Sequence, residues 1–182
     1  MIKACHRGIM FNPFQAIESA ESESDPQIRQ NLLEKAIQSL LSHRDVQSSD
    51  VQHAIGYAWY LLPANTEMRH KNVMHHLRNA VRINHSNKFA RLYLGHHHYD
   101  RGQFDQALDI FSSFQQTDFL EVNQGWRDIK VSELILCCTL RLGDRGSLKE
   151  TVYRFCESLT FCEDEMNPAP KELTETLLEI TG

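Results

Sequence analysis

Histidine is the side chain with the most chemical potential in this chain, and it is concentrated. Seven of the ten histidines lie between His70 and His98: His70, His75, His76, His85, His96, His97 and His98. Imidazole can hold a metal, move a proton or sense pH near neutrality. A metal site needs its ligands to converge on one point. Three consecutive helical residues point about 100° apart, so His96, His97 and His98 cannot share one ion. There is no HExxH and no HxxxH pair. A site would have to be built between helices, for instance from His76 and His98. The expectation is therefore no metal and no cofactor, with the histidines either packed or on the surface. The cluster would respond to acid, with weaker packing or altered partner affinity below about pH 6.

The remaining candidates offer less. Cys137 and Cys138 are adjacent in a helical pattern, where neighbours point apart, and Cys138 falls on the apolar stripe. It reads as a small buried hydrophobe, with no partner base at a useful spacing. Glu163, Asp164 and Glu165 read as a solvated acidic loop. No EF-hand spacing and no phosphate-binding glycine loop occur, and no Ser, His and Asp arrangement stands out as a triad. The chain is expected not to be an enzyme, with no catalytic residue assigned.

The elements that carry these residues read as helices throughout. Asn12-Pro13 and Asp25-Pro26 are start signals, a capping side chain followed by proline in the first turn. They open a short helix to about Ala20 and a longer one bearing Ile28, Leu32, Leu33, Ala36, Ile37, Leu40 and Leu41. Ser49 or Asp50 is expected to cap a third helix carrying Val51, Ala54, Ile55, Ala58, Leu61 and Leu62, which Pro63 ends. A fourth runs from Thr66 to about Asn84 with Val73, Leu77, Ala80 and Val81 on one face. Trp126 to Leu142 is a long helix with Val131, Leu134, Ile135, Cys138 and Leu142 aligned. Period-two alternation is scarce, so almost no sheet is expected.

The chain is organised around Asn87 to Phe114, two helices joined by a tight turn at Asp100-Arg101-Gly102. Phe104, Ala107, Leu108, Phe111 and Phe114 recur at intervals of three and four on the second. Gly95 lies inside the first, where glycine costs about 1 kcal/mol relative to alanine; close approach of another helix would explain it. Leu94-Gly95, Gly102, Phe104, Ala107 and Phe111 together resemble a tetratricopeptide repeat, a helical pair of about 34 residues. Arg91 and His98 stand where that pattern usually has an aromatic and a tyrosine. A weaker echo follows: Asp144-Arg145-Gly146 copies the first turn, and Leu148, Thr151 and Phe155 match Phe104, Ala107 and Phe111 at a spacing of 44 residues.

The resemblance implies an all-α fold of antiparallel helical hairpins stacked as a short TPR-like right-handed superhelix. The expected organisation is one domain over 1–182: an irregular arm over 1–11, amino-terminal helices over 12–48, TPR-like pairs over 50–162 and a capping helix over 170–181. It also implies a concave groove lined by Phe89, Leu92, His96 and Tyr99, with Asp100 beside them, and by Glu133, Leu136 and Leu140 in the second unit. Such a groove suits a peptide with apolar anchors, unless flanking helices fill it and make these residues core. The implied role is a protein-protein interaction module, adaptor or chaperone-like. Alternatives are an immunity-type inhibitor that blocks a toxin and, further off, a metal-dependent enzyme.

Composition narrows the classes. Of the 182 residues, 41% are hydrophobic and 24% charged, which fits a globular chain rather than a disordered one. The net charge of −5, with no long basic run, lacks the footprint of nucleic-acid binding. No apolar run reaches membrane-spanning length, and the first residues do not read as a secretory signal. Five cysteines without a CxxC point to a reducing cytoplasm. The expected partner is another protein or peptide segment, with no nucleic acid and no membrane.

Overall fold

In the computed structural model, residues 11–63, 66–122 and 124–161 are described. They form eight α-helices and one 3-10 turn, with no strand among them. The expected arm over 1–11 (apart from Phe11), the capping helix over 170–181 and the acidic loop at Glu163 lie outside the described residues. The chain divides into two compact units, Met1–Ala90 and Arg91–Gly182.

The amino-terminal unit holds α1 (Pro13–Ser22), α2 (Pro26–Leu41), α3 (Ser49–Leu61) and α4 (Glu67–Ile83). Its first two helices start where the sequence says. Asn12 Oδ1 accepts from the Phe14 amide at 3.0 Å, and Asp25 Oδ1 accepts from Gln27 at 2.8 Å and Ile28 at 3.1 Å. At α3 the cap is Ser48, whose Oγ accepts from the Val51 amide at 3.3 Å, not Ser49 or Asp50. Ser49 is instead turned inward, where its hydroxyl donates to the Ala80 carbonyl at 2.9 Å and accepts from Asn87 Nδ2 at 2.8 Å. Asn87 in turn accepts from the Ala90 amide at 2.9 Å, a side-chain cap for the first turn of α5.

Helices α3 and α4 run antiparallel. Ser49 meets Ala80, Gln52 meets His76, and the Trp59 and Tyr60 carbonyls accept from the Arg69 guanidinium. Leu33, Leu40, Ile55 and Ala58 are fully buried in the core that α1, α2 and α3 share. A methyl group added to Gly56 would come within 2.8 Å of the Leu77 side chain, so α4 sits closer to α3 than any larger residue permits.

Helix α5 (Lys88–Asp100) spans the boundary; α6 (Phe104–Ser112), α7 (Trp126–Leu142) and α8 (Leu148–Phe161) complete the second unit. Helices α5 and α6 are antiparallel: Arg91 reaches Ser113, Gly95 meets Phe111, and Tyr99 packs on Phe104. A Cβ on Gly95 would lie 2.6 Å from the Phe111 ring, which is the close approach its position called for. Gly102 between them is left-handed, with φ of 69°, the geometry that glycine adopts without a steric cost.

The echo at the next turn is only partial. Helix α8 begins at Leu148, as α6 begins at Phe104, and Phe155 is buried as Phe111 is. The left-handed residue, however, is Gly143, directly after α7, and not Gly146. Asp144 caps the short turn instead, its Oδ1 accepting from the Gly146 amide at 3.0 Å and the Ser147 amide at 3.3 Å. The longer linker before α7 is held by Asp128, a buried carboxylate that accepts from the Phe119 amide at 3.2 Å through both oxygens.

Candidate functional site

Helices α5 and α7 lie side by side and run parallel. The Arg127 guanidinium donates to the Tyr93 hydroxyl at 3.2 Å. One turn on, the His96 imidazole lies in the field of Lys130, Arg127 and Glu133. One turn further, Tyr99 lies beside the Cys137 thiol and near Arg141. Residue numbers rise together along both helices, so these contacts form one strip.

Of the residues expected to line a groove, this strip gathers His96, Tyr99, Asp100 and Glu133. His96 is half-buried and packs edge-on against Phe111, with ring centroids 5.6 Å apart. Burial, more than any neighbouring charge, lowers its pKa to about 4; Lys130 and Arg127 push the same way, while Asp100 and Glu133 oppose them. Glu133 is half-exposed and accepts from Lys130 Nζ at 2.9 Å. Tyr99 is half-buried and Asp100 exposed.

The others sit elsewhere. Leu92 is buried, at 1% exposure, and offers no surface to a partner in this conformation. Leu136 is buried too, packed with Ile129, Val152 and Phe155 on the side of α7 that faces α8. The reason is helical phase. Position 136 follows 129 and 132 around α7, and Ser132 already meets Ser158 of α8, hydroxyl to hydroxyl, at 2.6 Å. Leu140 is 54% exposed. Phe89 belongs to the amino-terminal unit, where its ring stacks on His53.

Sequence reasoning missed Trp126, Arg127, Lys130 and Cys137. Trp126, Lys130, Glu133, Cys137 and Leu140 recur at alternating steps of four and three, which places them on one line of a helix. A large aromatic off the buried stripe of α7 was the available signal. Trp126 is 53% exposed, and the Arg127 guanidinium covers its ring at 4.4 Å. Trp126 and Leu140 thus bracket the strip with exposed apolar groups about 21 Å apart, from the helical rise over fourteen residues.

Of the clustered histidines, His76, His97 and His98 are buried, His70 and His96 half-buried, and His75 and His85 exposed. His76 is buried, with Nδ1 3.0 Å from Gln52 Oε1; burial, then His75, lowers its pKa to about 4. His97 and His98 are buried, and His98 Nδ1 lies 2.7 Å from Gln103 Oε1 in the turn after α5. Among the described residues no three His, Cys, Asp or Glu side chains are grouped to hold a metal. The Cys138 thiol is pushed up to about 11 by burial and by Cys137, so it stays protonated and unreactive at neutral pH. Among the described residues no helix is long and apolar enough to cross a membrane. Compared with known proteins, the chain matches no family model and no curated sequence.

Proposed function

We propose that this protein is a protein-protein interaction module, adaptor or chaperone-like, that holds a peptide or protein segment along the strip shared by α5 and α7. The parallel pairing of those two helices supports the reading. It sets His96, Tyr99, Asp100 and Glu133 side by side between the exposed side chains of Trp126 and Leu140. Exposed apolar anchors separated by a band of paired charge suit a segment that needs both contact area and register. Successive hairpins stacked as in a tetratricopeptide repeat would generate such a strip, since the first helix of each pair then lines the same side. No step of chemistry is assigned to it, and the role is binding rather than catalysis.

The test is affinity capture from the native source with the full chain as bait, beside a Trp126→Ala/Leu140→Asp variant. Both substituted positions are exposed, so the variant should keep its helical circular dichroism. Capture of a partner by the wild type alone is the expected result. Equal capture by a folded variant would refute the strip. A captured toxic enzyme that loses activity in the complex would establish the inhibitor reading over the adaptor one.

A further inference from the structure

Helices α6 and α8 each pack on α7, and between them lies a cavity of about 530 Å³. Its lining has two chemistries. Leu108, Phe114 and Ile135 supply an apolar floor, while Asp144, Glu150 and Glu157 stand along the α8 side. Arg154 is the one cation in that lining among the described residues; its Nη2 donates to the Phe114 carbonyl at 2.7 Å, while its buried Nε has no partner. Two of the carboxylates are held in place. Asp144 is fixed by the amides of Gly146 and Ser147, and Glu157 accepts from Gln116 Nε2 at 3.1 Å. Glu150 makes no hydrogen bond or close ion pair among the described residues, and its charge acts on Arg154 one turn along α8.

We infer that this cavity is a second docking groove, independent of the α5–α7 strip, and that it takes an extended basic segment of another polypeptide. Three carboxylates against one tethered guanidinium leave the lining negative. Lys and Arg stems lie well on apolar surface while their heads reach charge, and the floor of Leu108, Phe114 and Ile135 offers that surface. Glu150 and Glu157 are seven residues apart on α8, about 10 Å along the axis. Side chains three residues apart on a polyproline-type strand are separated by about 9 Å, so one basic pair spans the two carboxylates. Carboxylates already fixed by Gln116 and by the Asp144 turn lose little freedom on binding.

The probe is a fluorescent, end-blocked nine-residue peptide with lysine at its third and sixth positions on an alanine–proline background, followed by anisotropy at low salt. Saturable binding is expected with the full chain, and none with the peptide whose lysines are glutamine. Glu150→Gln/Glu157→Gln should weaken binding about tenfold, the loss of two partly exposed charge pairs. Glu18→Gln/Glu34→Gln, an equal charge change at exposed sites on α1 and α2, should leave it unchanged. Ser112→Trp, which fills the cavity from an exposed position, should abolish it. Equal weakening by both glutamine pairs, or wild-type binding by Ser112→Trp, overturns the proposal. Displacement by spermidine at concentrations no higher than those of the peptide also overturns it, in favour of a small-polyamine site.

Discussion

Two mid-helix glycines each admit a side chain of the next helix closer than a Cβ would allow. Gly56 and Gly95 are each the eighth residue of their helices, and each is pressed by a large side chain from the next helix, Leu77 and Phe111. Alanine at 95 would gain about 1 kcal/mol of helix propensity. It would also set a methyl 2.6 Å from a fully buried ring that has nowhere to go. Overpacking of this kind costs about 1–3 kcal/mol. Gly95→Ala should therefore be less stable in urea unfolding by about 1 kcal/mol net, and Gly95→Ala/Phe111→Leu should recover part of the loss. A Gly95→Ala variant more stable than wild type would mean the two helices can part freely. Gly95 was legible in the sequence because it interrupts a strong helical pattern. Gly56 was hidden by the aromatic residues around it, although it holds the same place in its helix.

At the scale of elements, capping separates what pattern can and cannot assign. Asp25 sits before proline and caps α2, so Asp25→Ala should cost about 1 kcal/mol. Before α3, two serines and an aspartate compete, and only geometry distinguishes them. Ser48 caps a partly exposed helix start, whereas Ser49 ties Ala80 and Asn87 together in the interior. Removing the Ser49 hydroxyl leaves buried polar groups without a partner, at about 1–3 kcal/mol. Ser49→Ala should thus lower the thermal midpoint more than Ser48→Ala; the reverse order would show that the buried network contributes little. The turn after α7 teaches the same lesson. The repeated Asp-Arg-Gly triplet marked a turn in both places, but at the second, Gly143 had already ended the helix. The left-handed role therefore moved three residues upstream of the triplet's own glycine.

At the scale of the whole molecule, the histidines make stability depend on pH. Unfolded imidazole binds a proton near pH 6.5, while His76 and His96 resist it down to about 4. Between those values the unfolded state holds more protons, so stability falls as pH falls. His76, the less exposed of the two, should alone cost on the order of 1 kcal/mol between pH 7.5 and 5.5, and His96 adds in the same direction. Melting temperature measured across that range should drop, and His76→Gln should flatten the slope. A profile independent of pH would show that neither ring is shielded in solution. This refines the acid response expected from the sequence. The buried His76 ring and the half-buried His96 ring do not become cationic at pH 6 in the folded state; they lower stability instead.

Helix positions and the proline-marked starts of α1 and α2 were settled by local chemistry, since periodicity and caps act within a few residues and are written in the order of the chain. The all-helical class follows from the same source. Which side of α7 meets α5 and which meets α8 was decided only by packing. A helix with apolar groups on several sides has more than one way to bury them, so a shift of one position in phase moves a residue from surface to core. That is why Leu136 lies against Val152 while Glu133 lies beside His96. The exposure of Trp126 and Leu140, and the cavity lined by Leu108 and Arg154, likewise exist only once the helices are placed, because exposure and enclosure depend on what the other helices cover.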